Sequence, residues 1–157
     1  VHKMGYLGRG MALDLDVLVD EISHLQERHF FPSLMIDPRG HVIMPWHKDL
    51  DRINEEKNGS YAAGSTGRGI APVYASKHNR TGVRMIDFVS DHERIYGLAS
   101  RYAKHVAHET QKDPNDLEDF YIHEILRIHK KAKVLYPQME DVSEDILKKI
   151  FVCYNGK

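Results

Sequence analysis

Apolar positions first repeat at helical spacing in Asp14 to Leu25, where Leu15, Leu18, Val19, Ile22 and Leu25 share a face. Asp14 stands where an N-cap carboxylate would meet the positive end of the helix dipole. The short run Leu34-Met35-Ile36, the turn Pro38-Arg39-Gly40 and the run His41 to Met44 predict two strands bounded by turn residues. Pro45 is suited to the first turn of a second helix, which carries Trp46, Leu50 and Ile53 on one side and ends by Asn58-Gly59. Ser60 to Arg84 is irregular and rich in glycine. Glu93 to Glu109, Asn115 to Tyr136 and Ser143 to Ile150 return to helical periodicity, with Pro114 and Pro137 as breaks. Ile150 to Tyr154 reads as a strand and Asn155-Gly156 as a turn. The pattern is α/β in the first half and helical in the second.

The length, 157 residues, suits one ordinary domain that buries roughly 70% of its unfolded surface. Charge is balanced, 22 Lys and Arg against 23 Asp and Glu, which gives no electrostatic footprint for duplex nucleic acid or an anionic membrane. No apolar run approaches the ~20 residues that span a bilayer. The first ten residues lack the apolar core of a signal peptide. A single cysteine, Cys153, leaves no internal disulfide. These features predict a soluble, cytoplasmic protein.

Chemistry concentrates in Gly64-Ser65-Thr66-Gly67-Arg68-Gly69-Ile70-Ala71-Pro72-Val73-Tyr74. Glycines free the backbone to turn successive N–H groups toward an anion. Ser65 and Thr66 add hydroxyls, and Arg68 adds a guanidinium that matches phosphate. A helix starting near Ala71-Pro72 would aim its dipole at the same point. Lys77, Arg80 and Arg84 follow closely. Phosphate binding is one reading of this segment; a glycine-rich surface loop with solvated charges is the other. It is neither a Walker A loop nor a dinucleotide fingerprint, because G-x-x-x-x-G-K-[ST] is missing and the glycine spacing differs from G-x-G-x-x-G.

The eleven histidines raise the question of a metal site. His105, His108 and Glu109 share a predicted helical face, and His123 and His129 sit on the next helix. Zinc needs three or four convergent ligands, and neither H-E-x-x-H nor paired cysteines occur, so no residue here is assigned to a metal. Glu118, Asp119 and Glu124 read as solvated helix acids, and Trp46 and His47 as packing residues. The stripe Leu117, Phe120, Tyr121, Leu126 and Ile128 reads as core or interface.

Gly64 to Tyr74, with Lys77, Arg80, Gly82, Arg84 and Asp87, closely resembles the adenylosuccinate synthetase pattern G-T-T-G-R-G-I-G-P-x-Y followed by K-x-x-R-x-G-x-R and an Asp-hydrophobic pair. His47, Leu50, Asp51 and Arg52 resemble the family's H-x-x-L-D segment. Gly8 to Leu13 resembles the G-x-G-hydrophobic stretch that leads into a long helix. Ser65 replaces the usual first threonine and keeps its hydroxyl; Ala71 stands where the family often has glycine.

The resemblance implies part of a mixed or parallel-sheet nucleotide-binding α/β fold with a helical subdomain in its second half. Residues 1–90 would form the α/β segment carrying the phosphate loop 64–74, 91–149 the helical subdomain, and 150–157 a return strand. It also implies a carbon–nitrogen ligase of purine nucleotide biosynthesis. Such an enzyme uses GTP and Mg²⁺ to phosphorylate the 6-oxygen of inosine monophosphate and lets the aspartate amine displace that phosphate. Phage-encoded relatives act on deoxyguanylate.

In that family Thr66 would contact the nucleotide 5′-phosphate, with Ser65, Gly67 and Arg68 shaping the loop. Arg80 would reach across a homodimer to the neighbouring subunit's nucleotide. The family's G-D-E-G-K-G-K loop, catalytic histidine, F-E-G-A-Q-G segment and K-x-D motif have no counterpart in this sequence. The resemblance therefore implies an internal piece of a larger enzyme, without catalytic residues of its own and inactive alone. The alternative is a split or truncated relative that kept only the phosphate-binding loop.

Overall fold

The computed structural model describes residues 4–59, 64 and 66–139. Its strands form two parallel pairs. Strand β1 (Met4–Leu7) pairs with β3 (Ser33–Ile36), and β2 (Ala12–Leu13) with β4 (His41–Val42). Between them runs helix α1 (Leu15–Glu27), whose N-terminus Asp14 caps as its sequence predicts, accepting from the Asp16 and Val17 amides. β4 gains a second neighbour in the segment after residue 82, where the Val42 amide donates to the Val83 carbonyl and the Met85 amide to the Gly40 carbonyl.

Helix α2 (Pro45–Asn58) follows β4 directly, with Pro45 in its first turn and Gly59 at its end. Then come α3 (Ile70–His78), the single turn α4 (Asp87–Ser90), and the long hairpin of α5 (His92–Thr110) and α6 (Pro114–Leu135). A 3₁₀ turn, Tyr136–Gln138, holds Pro137. One connected core draws on both halves of the chain, from Leu13 and Ile36 through Trp46, Met85 and Phe88 to Tyr121 and Leu135. Trp46 is its centre: it stacks on Tyr102 of α5 at 5.2 Å and meets Tyr121 of α6 edge-on at 5.8 Å.

The mixed α/β architecture, with parallel strand pairs, agrees with the class that the sequence predicts. Details differ. β1 and β2 are strands that local pattern did not predict, because their partners lie almost thirty positions downstream (Met4 opposite Ser33, Ala12 opposite His41) and pairing supplies what alternation lacks. The run His41 to Met44 is strand only to Val42, since Met44 is already the N-cap of α2. On α6 the buried positions are Leu117, Tyr121, Ile125, Ile128, Ala132 and Leu135, while Phe120 and Leu126 face outward, so the predicted stripe is rotated. The predicted helix at 143–150, the strand at 150–154 and Cys153 fall outside the described residues. No helix among the described residues is long and apolar enough to cross a membrane.

Charged residues pin the turns between these elements. The buried Asp87 carboxylate accepts the Arg84 amide and guanidinium and the Arg94 guanidinium; Arg94 also donates to the Gly82 carbonyl. Asp37, equally buried, takes the Arg39 amide and a two-pronged Arg39 contact. Burial would raise the Asp37 pKa, but these bonds outweigh it and hold the group below its ordinary value.

His47, fully buried in the first turn of α2, accepts the Met44 amide at Nδ1 over 3.0 Å. It thereby fills the part that Glu or Gln plays in a capping box. Burial, reinforced by His41, pushes its pKa down to about 3. The unfolded imidazole titrates near 6.5, so between those values the unfolded chain binds more protons than the folded one. Stability from this site is complete above about pH 6.5 and falls by up to about 1.4 kcal/mol per pH unit toward the folded value. Urea unfolding at pH 7 and pH 5 should show a loss of about 2 kcal/mol that His47→Gln largely removes. An equal loss in the variant would mean that other groups carry it.

Candidate phosphate-binding site

The glycine-rich loop ends where α3 begins, and Gly69 is the hinge. It caps α3 in the left-handed conformation, with φ 80°, and its amide donates to the Asp51 Oδ2 atom of α2 over 2.9 Å. A β-carbon here would stand 2.9 Å from the His47 carbonyl carbon and 3.0 Å from the Lys48 amide nitrogen, so the loop lies directly on the α2 backbone. Both the conformation and the close approach call for glycine. Upstream, the Gly64 amide donates to Glu55 of α2 at 2.6 Å, and Gly64 and Gly67 also have positive φ.

Thr66 and Arg68 are both exposed on this turn and open on different sides of it. Thr66 lines a cleft against α2, beside Asp51, Asn54, Glu55 and Ile70. Arg68 lines a separate, mainly apolar cleft of about 260 Å³ with Leu13, Val17 and Ile43. Ser65 falls outside the described residues. Arg80 lies at the other end of α3. That helix has nine residues, and at about 1.5 Å each they put roughly 13 Å between the loop and the arginine. The structure therefore does not bring Thr66 and Arg80 of one chain together.

Arg80 itself is an outlier: it adopts φ 58° immediately after the Asn79 C-cap, a place that favours glycine. Its guanidinium is exposed and makes no ion pair among the described residues. The neighbouring cations are spoken for. Lys77 donates to the Arg9 carbonyl at 2.9 Å and sits over the Tyr74 ring, while Arg84 is bound by Asp87.

The remaining contacts make α3 a meeting point. The Tyr74 hydroxyl donates to the Gly10 carbonyl at 3.0 Å, and His47 Nε2 meets Ser76 Oγ at 3.1 Å. Gly8 to Leu13, His47 to Arg52 and Gly64 to Asp87, far apart in sequence, thus converge on one nine-residue helix. His47 and Asp51, one turn apart within the apolar face of α2, are the residues that residue-by-residue reading undervalued. The signal was available, since two polar groups at i and i+4 amid Trp46, Leu50 and Ile53 must find buried partners.

Comparison with known proteins gives these stretches a common origin. The adenylosuccinate synthetase family model matches residues 1–151. The chain belongs to the adenylosuccinate synthetase family. An adenylosuccinate synthetase from Halothermothrix orenii is 35% identical over 161 residues, covering 96% of this chain and 36% of that protein. One from Desulforamulus reducens is 33% identical over 144 residues, covering 90% and 33%. The solved structure of fully ligated adenylosuccinate synthetase from Plasmodium falciparum superposes with a TM-score of 0.59 at 25% identity, over 97% of this chain and 34% of that one. The chain thus spans about a third of the length of the relatives it matches.

The backbone at Arg80 yields a direct prediction. Relief of the left-handed conformation should make Arg80→Gly more stable than the parent by roughly 0.5 kcal/mol, after the added freedom of the unfolded chain is subtracted. Urea midpoints at neutral pH measure it; a destabilised variant would mean that the Arg80 side chain holds the turn.

Proposed function

We propose that this chain carries the nucleotide-phosphate part of a GTP-dependent ligase that joins aspartate to the 6-position of a purine nucleoside monophosphate. Inosine monophosphate is the expected substrate, with deoxyguanylate as the phage-type variant. The observation that carries the reading is the convergence of the three family-like stretches on α3, with Thr66 at one end and an uncommitted Arg80 at the other.

Chemically, the N-terminal end of α3 offers amide hydrogens and the positive end of a helix dipole, which suit a 5′-phosphate. The Thr66 hydroxyl adds a donor there, with Gly67, Arg68 and Ser65 shaping the approach. Arg80, too distant to reach the same phosphate, would extend to the nucleotide of a second copy in a homodimer. A guanidinium is well suited to this task because it stays charged and can grip phosphate with two parallel bonds. Holding the phosphate from two subunits would orient the purine for attack, a contribution of positioning rather than of acid–base chemistry.

GTP and Mg²⁺ belong to the proposed reaction by family membership. Among the described residues no three His, Cys, Asp or Glu side chains converge as a metal cage, and no step is routed through Mg²⁺. GTP would likewise be held by residues beyond those described. The expected setting is the cytoplasm, with the nucleotide, aspartate and a second subunit as partners.

Steady-state kinetics test the proposal in the intact enzyme that contains this chain. Thr66→Ala and Arg80→Leu should each raise the inosinate KM by tenfold or more, since one charge-assisted hydrogen bond is worth about 1.5–3 kcal/mol. Mixing the two variants should restore the parent inosinate KM at a fraction of the sites, because one hybrid site draws both intact residues from different subunits. Unchanged KM values, or no complementation, would refute the assignment.

A further inference from the structure

We propose that Tyr102, acting through Ser76 and Thr81, is a positioning residue that sets Arg80 for the nucleotide; this rests on the ligase reading above. The turn that carries Arg80 is built on one buried residue. The Ser76 carbonyl accepts the Thr81 amide at 2.9 Å, the Gly82 amide at 3.0 Å and, more loosely, the Thr81 hydroxyl at 3.4 Å. Arg80 lies inside the loop that these bonds close, which accounts for its left-handed backbone. Whatever holds Ser76 therefore also holds the base of the arginine.

The Ser76 side chain is gripped from two sides. His47 Nε2 lies 3.1 Å from its Oγ, and the Tyr102 hydroxyl 3.2 Å from the same atom. The Tyr102 hydroxyl also stands 3.4 Å from the Thr81 Oγ1. One backbone group fixes the direction of the whole chain of bonds. The Met44 amide can only donate, so His47 Nδ1 accepts and the ring proton must sit on Nε2. His47 then donates to Ser76, Ser76 to Tyr102, Tyr102 to Thr81, and Thr81 to the Ser76 carbonyl. Each donor is used once and no hydroxyl is left without an acceptor. Burial keeps the imidazole neutral, so the order survives across the neutral pH range.

Tyr102 is a rigid end point for this chain. Its ring is stacked on the buried Trp46 with an interplanar angle of 8° and meets His47 edge-on. Helix α5 thereby reaches the Arg80 turn through the Tyr102 hydroxyl at Thr81, beside the Arg94 guanidinium that donates to the Gly82 carbonyl. Removal of that hydroxyl keeps the stacked ring and takes one bond each from the Ser76 and Thr81 hydroxyls, leaving Ser76 to His47 and Thr81 to the Ser76 carbonyl. The effect should be loosening of the arginine rather than loss of the fold.

The experiment uses Tyr102→Phe, Arg80→Leu and the double variant in the intact enzyme, with inosine monophosphate as the varied substrate. Tyr102→Phe should raise the inosinate KM about fivefold, the size expected of one neutral hydrogen bond, with kcat within about twofold. In the Arg80→Leu background the same change should have no further effect, because a residue acting through Arg80 has nothing left to position. Hydrogen exchange at the Thr81 and Gly82 amides without nucleotide should quicken in Tyr102→Phe.

Additive effects in the double variant, or unaltered exchange and KM in Tyr102→Phe, would overturn the role of Tyr102 while leaving the ligase reading intact. If Arg80→Leu alone leaves inosinate binding unaltered, the ligase reading itself fails and this inference with it. A fall in kcat and in thermal stability without a KM change would assign Tyr102 to the core only.

Discussion

The contact on which the rest depends is the seating of Gly69 on the backbone of α2. There is no room between the two backbone segments for a single methyl group, and the Gly69 amide is captured by the buried Asp51 carboxylate. About two turns further on, His47 reaches from the same face of α2 to Ser76. Two polar side chains one turn apart thus fasten α3 at two levels. A short helix with little intrinsic stability of its own gains its place from these bonds and from the packing of Val73 and Pro72. Hydrogen bonds of this kind are individually modest, yet either partner left buried and unpaired would cost more than the bond gains.

Because α3 is fixed at two levels, its two ends are fixed as well. The N-terminal end presents the loop with Thr66, and the C-terminal end presents Arg80 on the turn closed by Ser76. The edge strands are tied in through the Arg9 and Gly10 carbonyls, which accept from Lys77 and Tyr74. The hairpin of α5 and α6 contributes from behind, with Tyr102 stacked on Trp46 and Tyr121 edge-on to it. A rigid scaffold with an exposed loop and an exposed cation is what recognition of a fixed phosphate requires.

Much of this was legible in the sequence for physical reasons. Helices α1, α2, α5 and α6 announce themselves because each has an apolar stripe of helical period, and Asp14 and Pro45 mark starts that depend only on local geometry. The strands β1 and β2 do not, because two to four residues paired in parallel with distant partners carry no local period. The glycines and hydroxyls of the loop suggest phosphate chemistry, but composition could not distinguish free cations from committed ones. Arg84 and Lys77 look identical to Arg80 in sequence; only the fold shows Asp87 beside the first and the Arg9 carbonyl beside the second. Ser76 and Tyr102 lacked any signal, since their importance arises from where three helices meet.

Through Asp51, α2 holds the glycine-rich loop. The most direct test of this hold is Asp51→Ala in the intact enzyme, with hydrogen exchange at the Gly69 amide and inosinate affinity measured on the same preparation. Exchange at Gly69 should be at least tenfold faster and inosinate binding weaker, with a loss of global stability of about 1–3 kcal/mol that leaves the protein folded. Unaltered affinity in a variant whose Gly69 amide has been released would contradict this expectation.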